Sequence, residues 1–493
     1  MQARFASEKR GGRKPKPPQN IRTPRYPKFP YKFPLIKNIP PFPPISYNNH
    51  MKWYEDKIFW YIFTALAAVK LAAFTYICFF HPGGERIFAL PDSLGYVYPA
   101  QTLLQQGAMW EAVSAAPMLL RTPGYPLFLA FVQLITGSMT WSVALWQNIL
   151  SLLMLIPVYL SADKLAGRNA ARWAVFFCAA SVLYFSMAFA VLTETLCAFL
   201  LAWFLLFIIR FFQTPRALDL LTSALFLAAA VYVRPAAYYF MPFSALLLLC
   251  LAAGKLIRFP WPKILLYFLV PLILIGGGWQ VRNFLATGFG GFTSVGAFNL
   301  YFWNEDYVAR KYGMSVSQAH EAMQAMLPPE FSSLPPAEQV KIYKALAAPL
   351  IRESFLYKLS RAPLWAGKTL LGTNFAHTAS LLNISPLQPG EEALNHTGTL
   401  PAEWQKSPAA VILFLLCAAQ VSLTVLLGAA GLWILWKKKP AETFFLLVYC
   451  LYFWGIGSVF SGAYARFRAP FEFVLCITAG VFAAHWLQKR KKA

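Results

Sequence analysis

Five arginines in this sequence sit at the edges of long apolar runs, where an uncompensated charge is expensive. They are Arg121 in "LLRTPGYPLF", Arg234 in "VYVRPAAYY", Arg282 in "GWQVRNF", and Arg466 and Arg468 in "SGAYARFRAP". A guanidinium near an apolar core costs about 2.5–3.5 kcal/mol on insertion scales, so each calls for an anionic partner or an aqueous cavity. Three acids are placed to help: Asp92 in "LPDSLGYVYPA", Glu111 later in the same stretch, and Glu194 in "VLTETLCAF". The balance stays positive, and a lipid phosphate would suit it, because a guanidinium fork grips phosphate through two parallel charge-assisted bonds. Plainer readings stand beside this one. A single arginine at a membrane rim is more often a snorkelling anchor. Asp92, after Pro91, could be only a helix N-cap, and Glu194 could simply pair with one arginine. Arg466 and Arg468 are two positions apart and share no helical face, so they converge only in a turn or an extended link. Lys70, midway along the first apolar run, is costly too, with no partner legible in the sequence.

The elements that must position these groups follow from composition. Of 493 residues, 58% are hydrophobic and only 13% charged, about half the charged fraction of a soluble chain. Many apolar runs reach the ~20 residues that cross a hydrocarbon core, and they are continuous rather than alternating, which excludes a β-barrel. The fold class is therefore an all-α polytopic membrane protein. About ten spans are expected, at roughly 57–80, 141–162, 173–193, 195–212, 218–233, 236–254, 264–284, 409–436, 443–460 and 470–487. The run Pro126–Ile135 is too short to cross and reads as an interfacial or re-entrant helix.

The net charge of +24 would suggest nucleic acid in a soluble protein, but here the basic residues lie in the tail and the short loops. They report orientation and anionic lipid instead, and no nucleic acid is expected. Residues 1–50 hold eleven Lys/Arg, eleven Pro and the single acid Glu8. Lacking an apolar h-region, they read as a disordered polybasic cytoplasmic tail rather than a cleaved signal peptide. With that tail inside, the basic links around Lys164–Arg172, Arg210–Arg216, Lys255–Lys263 and Lys437–Lys439, and the C-terminus, also fall inside. The domain plan is then 1–50 tail; 51–284 membrane domain with an outer loop at 81–140; 285–408 extracytoplasmic helical domain; 409–493 C-terminal membrane helices. The outer domain shows helical periodicity at Ile342, Leu346 and Leu350 and a capping-box pattern from Ser315 to Gln318. All seven cysteines lie in apolar spans, which excludes a disulfide framework, and the six histidines show no HxxxH spacing, so no metal site is read.

At these same residues the sequence resembles the GT-C superfamily of polyprenyl-phosphate-dependent membrane glycosyltransferases, which includes protein O-mannosyltransferases and the lipid A aminoarabinose transferase. The likeness covers about residues 55–490 and is strongest in "PDSLGYVYPAQTLLQQG" and "RTPGYPLFLAFVQLITG". The resemblance implies a GT-C-like bundle, juxtamembrane helices in the first outer loop, and a catalytic acid just after the first span, which carries over to Asp92. "LTETL", "VRPAAY", "WQVRN" and "YARFRAP" resemble later landmarks and imply a second acid at Glu194 and phosphate-binding roles for Arg234, Arg282, Arg466 and Arg468. Family members often carry paired acids after the first span. Here Ser93 follows Asp92, which argues against a metal-assisted role there; no cofactor is required, though a divalent cation stays compatible.

The implied reaction moves a sugar from a polyprenyl-phosphate donor to an acceptor hydroxyl on the extracytoplasmic face, by inverting displacement. Arginines neutralise the leaving phosphate, Asp92 takes the acceptor proton, and Glu194 positions acceptor or arginines. Arg121, Tyr96 and Tyr125 would position substrate, with Tyr301 a further aromatic that could stack on sugar. The acceptor is a glycan, lipid or protein. The alternatives are a transporter or flippase of an anionic lipid-linked sugar, or a glycan polymerase or ligase. The expected location is a bacterial inner membrane with both termini cytoplasmic; the second option is the endoplasmic reticulum, where Asn383-Ile-Ser385 and Asn395-His-Thr397 would be sequons.

Overall fold

The computed structural model describes residues 52–111, 116–384, 407–458 and 464–491. The expected polybasic tail, Ser385 and the Asn395-His-Thr397 sequon lie outside these residues. The described chain is helical, and its sole β-type pairing is an isolated antiparallel bridge between Trp110 and Pro117.

Eight helices among the described residues are long and apolar enough to cross a membrane: Lys57–Phe79, Trp141–Ala166, Glu194–Gln213, Pro235–Ala253, Trp261–Thr287, Pro408–Trp436, Pro440–Ser458 and Ala465–Arg490. Each matches one of the ten expected spans. Ala217–Val233 is a seventeen-residue apolar helix. The remaining expected span, 173–193, is broken. Arg168–Ala179 forms one helix and Val182–Met187 a second, short one. The break falls at Ser181, whose side chain accepts from Tyr184 N and so starts a new helix, while its hydroxyl donates to the buried Glu472. The chain then runs without regular helix until Glu194. Gly124–Thr136 is a helix of thirteen residues, about 20 Å long at 1.5 Å per residue and too short for a ~30 Å core.

Apolar side chains face outward along the spans, Leu71, Leu274 and Leu426 among them, which is the surface a lipid-embedded bundle presents. The most enclosed helix is Ala465–Arg490, whose small residues Ala479 and Gly480 let it approach its neighbours closely. One end of the bundle gathers the basic links into local pairs. Arg172 Nε meets Asp56 Oδ2 at 2.9 Å, Arg210 Nε meets Asp219 Oδ1 at 2.9 Å, and Lys439 Nζ donates to Lys164 O at 2.6 Å. The other end carries Asp92, Glu194, Arg234 and Arg466.

Beyond that second end, Val295–Phe302, Glu305–Tyr312, Val316–Ala325 and the 36-residue helix Pro336–Leu371 pack around a separate core of Tyr301, Phe302, Val308, Ala309, Ala319, Met323 and Ala347. The Ser315–Gln318 capping box is formed. Tyr301 is fully buried in this core, its hydroxyl donating to Met323 O. The long helix runs back to the bundle, where Trp454 Nε1 donates to Ala366 O and Thr369 Oγ1 to Gly457 O.

Candidate active site

Asp92 lies in a short 3-10 turn, Pro91–Ser93, ahead of the helix Leu94–Gln106. It caps nothing; the neighbouring Ser93 ties the turn down instead, accepting from Leu90 N at 2.9 Å and donating to Val191 O at 2.9 Å. Both Asp92 oxygens are left to point at arginines. Oδ1 meets Arg121 Nη2 at 2.9 Å and Oδ2 meets Arg466 Nη2 at 2.7 Å, with the carboxylate side chain still 37% exposed. Burial pushes the Asp92 carboxyl up, but the Arg466 and Arg121 charges outweigh it and bring the carboxyl down to about 2.

Glu194 opens the helix Glu194–Gln213, where the positive end of the helix dipole favours a carboxylate. It is 2% exposed and bonded through Oε1 to Arg234 Nη1 at 2.8 Å, with Arg466 Nε 3.9 Å away. Arg234 Nη1 also donates to Thr193 Oγ1 at 3.0 Å. The result is a continuous chain, Arg121–Asp92–Arg466–Glu194–Arg234, with three guanidiniums and two carboxylates. Its formal charge is +1. The ring of Phe467 lies beneath two of these cations, 5.4 Å from Arg234 and 5.8 Å from Arg466, and Tyr464 flanks Arg466 at 5.2 Å. His377 is near, its Nε2 donating to Ser186 O at 3.2 Å; burial lowers it to about 4, so it adds no charge at neutral pH.

Local sequence accounts for this assembly. Arg121 lies over the Tyr96 ring at 4.7 Å and donates to its hydroxyl at 3.3 Å. Glu111 accepts from Leu119 N and Leu120 N at 2.7 and 2.6 Å. It therefore fixes the segment leading to Arg121 rather than neutralising an arginine. Gly124 is required where it stands: a Cβ there would lie 2.6 Å from Tyr232 O, so only glycine lets "RTPGYP" come so close to the segment carrying Arg234.

The irregular stretch 188–193 places Thr193 and Glu194, and its backbone is inside the bundle, where unpaired polar groups are costly. Gln147 Nε2 donates to Ala190 O at 2.5 Å, Asn148 Nδ2 to Ala188 O at 3.3 Å, and Val191 N to Phe88 O at 2.8 Å. Gln147, Asn148 and Ser93 are the functional supports that sequence reasoning missed. A polar Gln-Asn pair inside an apolar run was the signal that could have found them.

Three expected site residues sit elsewhere. Arg468 is 1% exposed and turned away from the chain of charges. Its Nε meets Glu472 Oε2 at 2.8 Å, and its Nη1 donates to Leu370 O and Gly372 O at 2.9 and 2.8 Å, closing the end of the helix Pro336–Leu371. Ala465–Arg468 is a 3-10 turn, in which residues two apart point about 120° away from each other. Arg282 stacks on Trp279 at 4.7 Å and donates to Met118 O at 3.0 Å, so it holds the backbone of the first loop. Tyr125 is fully buried beneath Tyr96, its hydroxyl donating to Gln147 Oε1 at 3.0 Å.

Among the described residues no group of three His, Cys, Asp or Glu side chains could hold a metal ion. Both Asp92 oxygens are taken by guanidiniums.

Residues 120–279, 160 of the 493, match the family model of dolichyl-phosphate-mannose-protein mannosyltransferases. No curated protein matches the chain. Among solved structures, the archaeal oligosaccharyltransferase AglB from Archaeoglobus fulgidus, in complex with an inhibitory peptide and a dolichol-phosphate, is similar at a TM-score of 0.50 and 11% identity over 89% of this chain. This chain spans about half of that one, 51%. ArnT from Cupriavidus metallidurans is similar at TM-scores of 0.38 in the apo state and 0.36 bound to undecaprenyl phosphate. The identities are 15% and 14%, each over 86% of this chain and 77% of that one. The chain is an all-α polytopic membrane protein whose fold is similar to that of the AglB oligosaccharyltransferase.

Proposed function

We propose that this chain is a membrane glycosyltransferase that moves a sugar from a polyprenyl-phosphate-linked donor to an acceptor hydroxyl on the extracytoplasmic face. The observation that carries the reading is the solvent-reachable Asp92 carboxylate held between Arg121 and Arg466, beside the buried Glu194–Arg234 pair. The chain of charges carries one excess positive charge, which a donor phosphate would complement.

The same geometry supplies a mechanism. The donor phosphate takes Arg466 and Arg234, with Glu194 holding both guanidiniums in place. Arg466 is thereby drawn off Asp92 Oδ2, while Arg121 keeps Oδ1. A carboxyl held near 2 is a weak base; losing one guanidinium raises it and frees a lone pair. Donor binding therefore switches the base on. The acceptor hydroxyl then attacks C1, its proton goes to Asp92, the C1–O bond to phosphate breaks, and the leaving charge develops against the arginines. Base and phosphate lie on opposite sides of the sugar, so the anomeric centre inverts. Arg282 and Arg468 lie outside this clamp, and no step is routed through a metal. The helical unit within 285–408 is the surface an acceptor glycan, lipid or protein would meet, and the paired basic end of the bundle is the cytoplasmic side, in a bacterial inner membrane.

The test incubates a labelled polyprenyl-phosphate sugar with membranes holding the wild type or Asp92→Asn. Covalent transfer by the wild type, lost at least a hundredfold in Asp92→Asn with donor binding retained, supports the reading. Label that crosses the membrane without bond cleavage replaces it with a flippase.

A further inference from the structure

The helix Lys57–Phe79 faces outward along most of its length, and just three of its residues are buried: Phe59, Lys70 and Ile77. Spacings of eleven and seven put all three on one stripe, so the inward face of this helix carries its one interior charge-bearing side chain. Lys70 is 3% exposed, and no ion pair among the described residues involves it. Its Nζ donates to Asn148 Oδ1 at 3.0 Å and lies 5.1 and 5.8 Å from the rings of Phe185 and Phe189. An ionisable group at this depth is kept for a reason, and here its contacts converge on one place. Asn148 is held by Lys70 on its oxygen and so aims its amide at Ala144 O and Ala188 O, at 2.8 and 3.3 Å. Phe185 and Phe189 flank the point where regular helix gives way to the irregular stretch. Five and six residues on from Ala188 stand Thr193 and Glu194, which grip Arg234.

We infer that Lys70 is a positioning residue for the donor site: through Asn148 and the two phenylalanine rings it sets the path of residues 188–193, and so the placement of Glu194 and the guanidiniums that Glu194 orients. Without the amine, Asn148 Oδ1 has no donor and its amide loses one of its anchors, so Ala188 O keeps only the longer bond from Gln147 Nε2 at 3.5 Å as a firm partner. The irregular stretch then relaxes at the end that delivers Glu194. The brace is remote from the phosphate, which sets its expected signature. It changes affinity for the lipid phosphate through geometry, and its effect runs through Asn148.

This inference rests on the donor assignment above, and its test keeps the two apart. Binding of a sugar-free polyprenyl phosphate is measured on the purified full-length chain in nanodiscs, with the unfolding temperature recorded on the same samples. Lys70→Met should weaken binding about tenfold, within the hundredfold that a 1 Å misplacement can cost. Asn148→Leu should do the same, and the double variant should be no worse than either single one. Unchanged affinity in Lys70→Met, whatever its unfolding temperature, overturns the inference and leaves Lys70 a packing residue. Additive losses in the double variant also overturn it. Should Lys70→Met fail to fold, Asn148→Leu alone decides by the same affinity criterion. A wild type that binds no polyprenyl phosphate removes the donor assignment, and this inference with it.

Discussion

Arg466 and Arg468 stand two residues apart, and each meets a carboxylate at under 3 Å, yet their surroundings differ in every other respect. Arg468 and Glu472 are both almost fully buried; Arg468 Nη1 donates to backbone carbonyls, and Glu472 Oε1 accepts from the Ser181 hydroxyl. Arg466 and Asp92 keep 22% and 37% of their side chains exposed, and Arg466 is shared between two acids. The first arrangement is committed to one geometry and locks the long outer helix to the bundle. The second can exchange one partner for another at little cost. A site that must admit an anion needs the second kind, and the first kind holds its frame still.

That contrast can be broken or sharpened by substitution. The largest expected effect is on stability: Arg468→Ala strands Glu472 without its cation, and losing one partner of a buried pair costs about 3–5 kcal/mol. Chemical denaturation should show that loss while the folded fraction binds donor normally, and Arg468→Met with Glu472→Leu should recover most of it. Next comes Arg466→Ala, which removes charged hydrogen bonds of about 1.5–3 kcal/mol from donor binding, with a much smaller change in stability.

The same variant has a pH signature. In the wild type the Asp92 carboxyl lies near 2, below its ordinary 3.8. Its stabilising contribution is therefore complete above about pH 4 and is lost as pH falls toward 2. With Arg466 gone the carboxyl rises, so the acid limb of the stability curve should move to higher pH. An acid limb that stays in place would mean Arg466 does not govern Asp92. The smallest effect is expected from Arg282→Ala, which releases Met118 O from the first loop. It should cost about 1 kcal/mol of stability and leave donor affinity unchanged.

The bundle was legible because membrane spans announce themselves as continuous apolar runs, and the charged groups at its rim were legible because such charges are rare there. What escaped was decided between segments distant in sequence. "SVLYFSMAFAVLTE" reads as one apolar span, yet the chain breaks at Ser181 and unwinds after Met187. That unwinding depends on hydrogen bonds from Gln147, Asn148 and Ser93; the Gln-Asn pair marks a buried polar site, but which distant carbonyls it serves is set by the tertiary fold. The split between Arg466 and Arg468 likewise turned on a single 3-10 turn. Tyr125 looked like a site aromatic, but its position beneath Tyr96 is set by the close approach at Gly124.

The central claim is that a lipid phosphate is held at the Asp92 end of the bundle. Photo-crosslinking with a polyprenyl-phosphate sugar that carries a reactive group beside the phosphate tests it most directly. Adducts on residues 464–468 and 234–240 are the predicted result, and adducts confined to 164–172 and 210–219, at the opposite end, would contradict it.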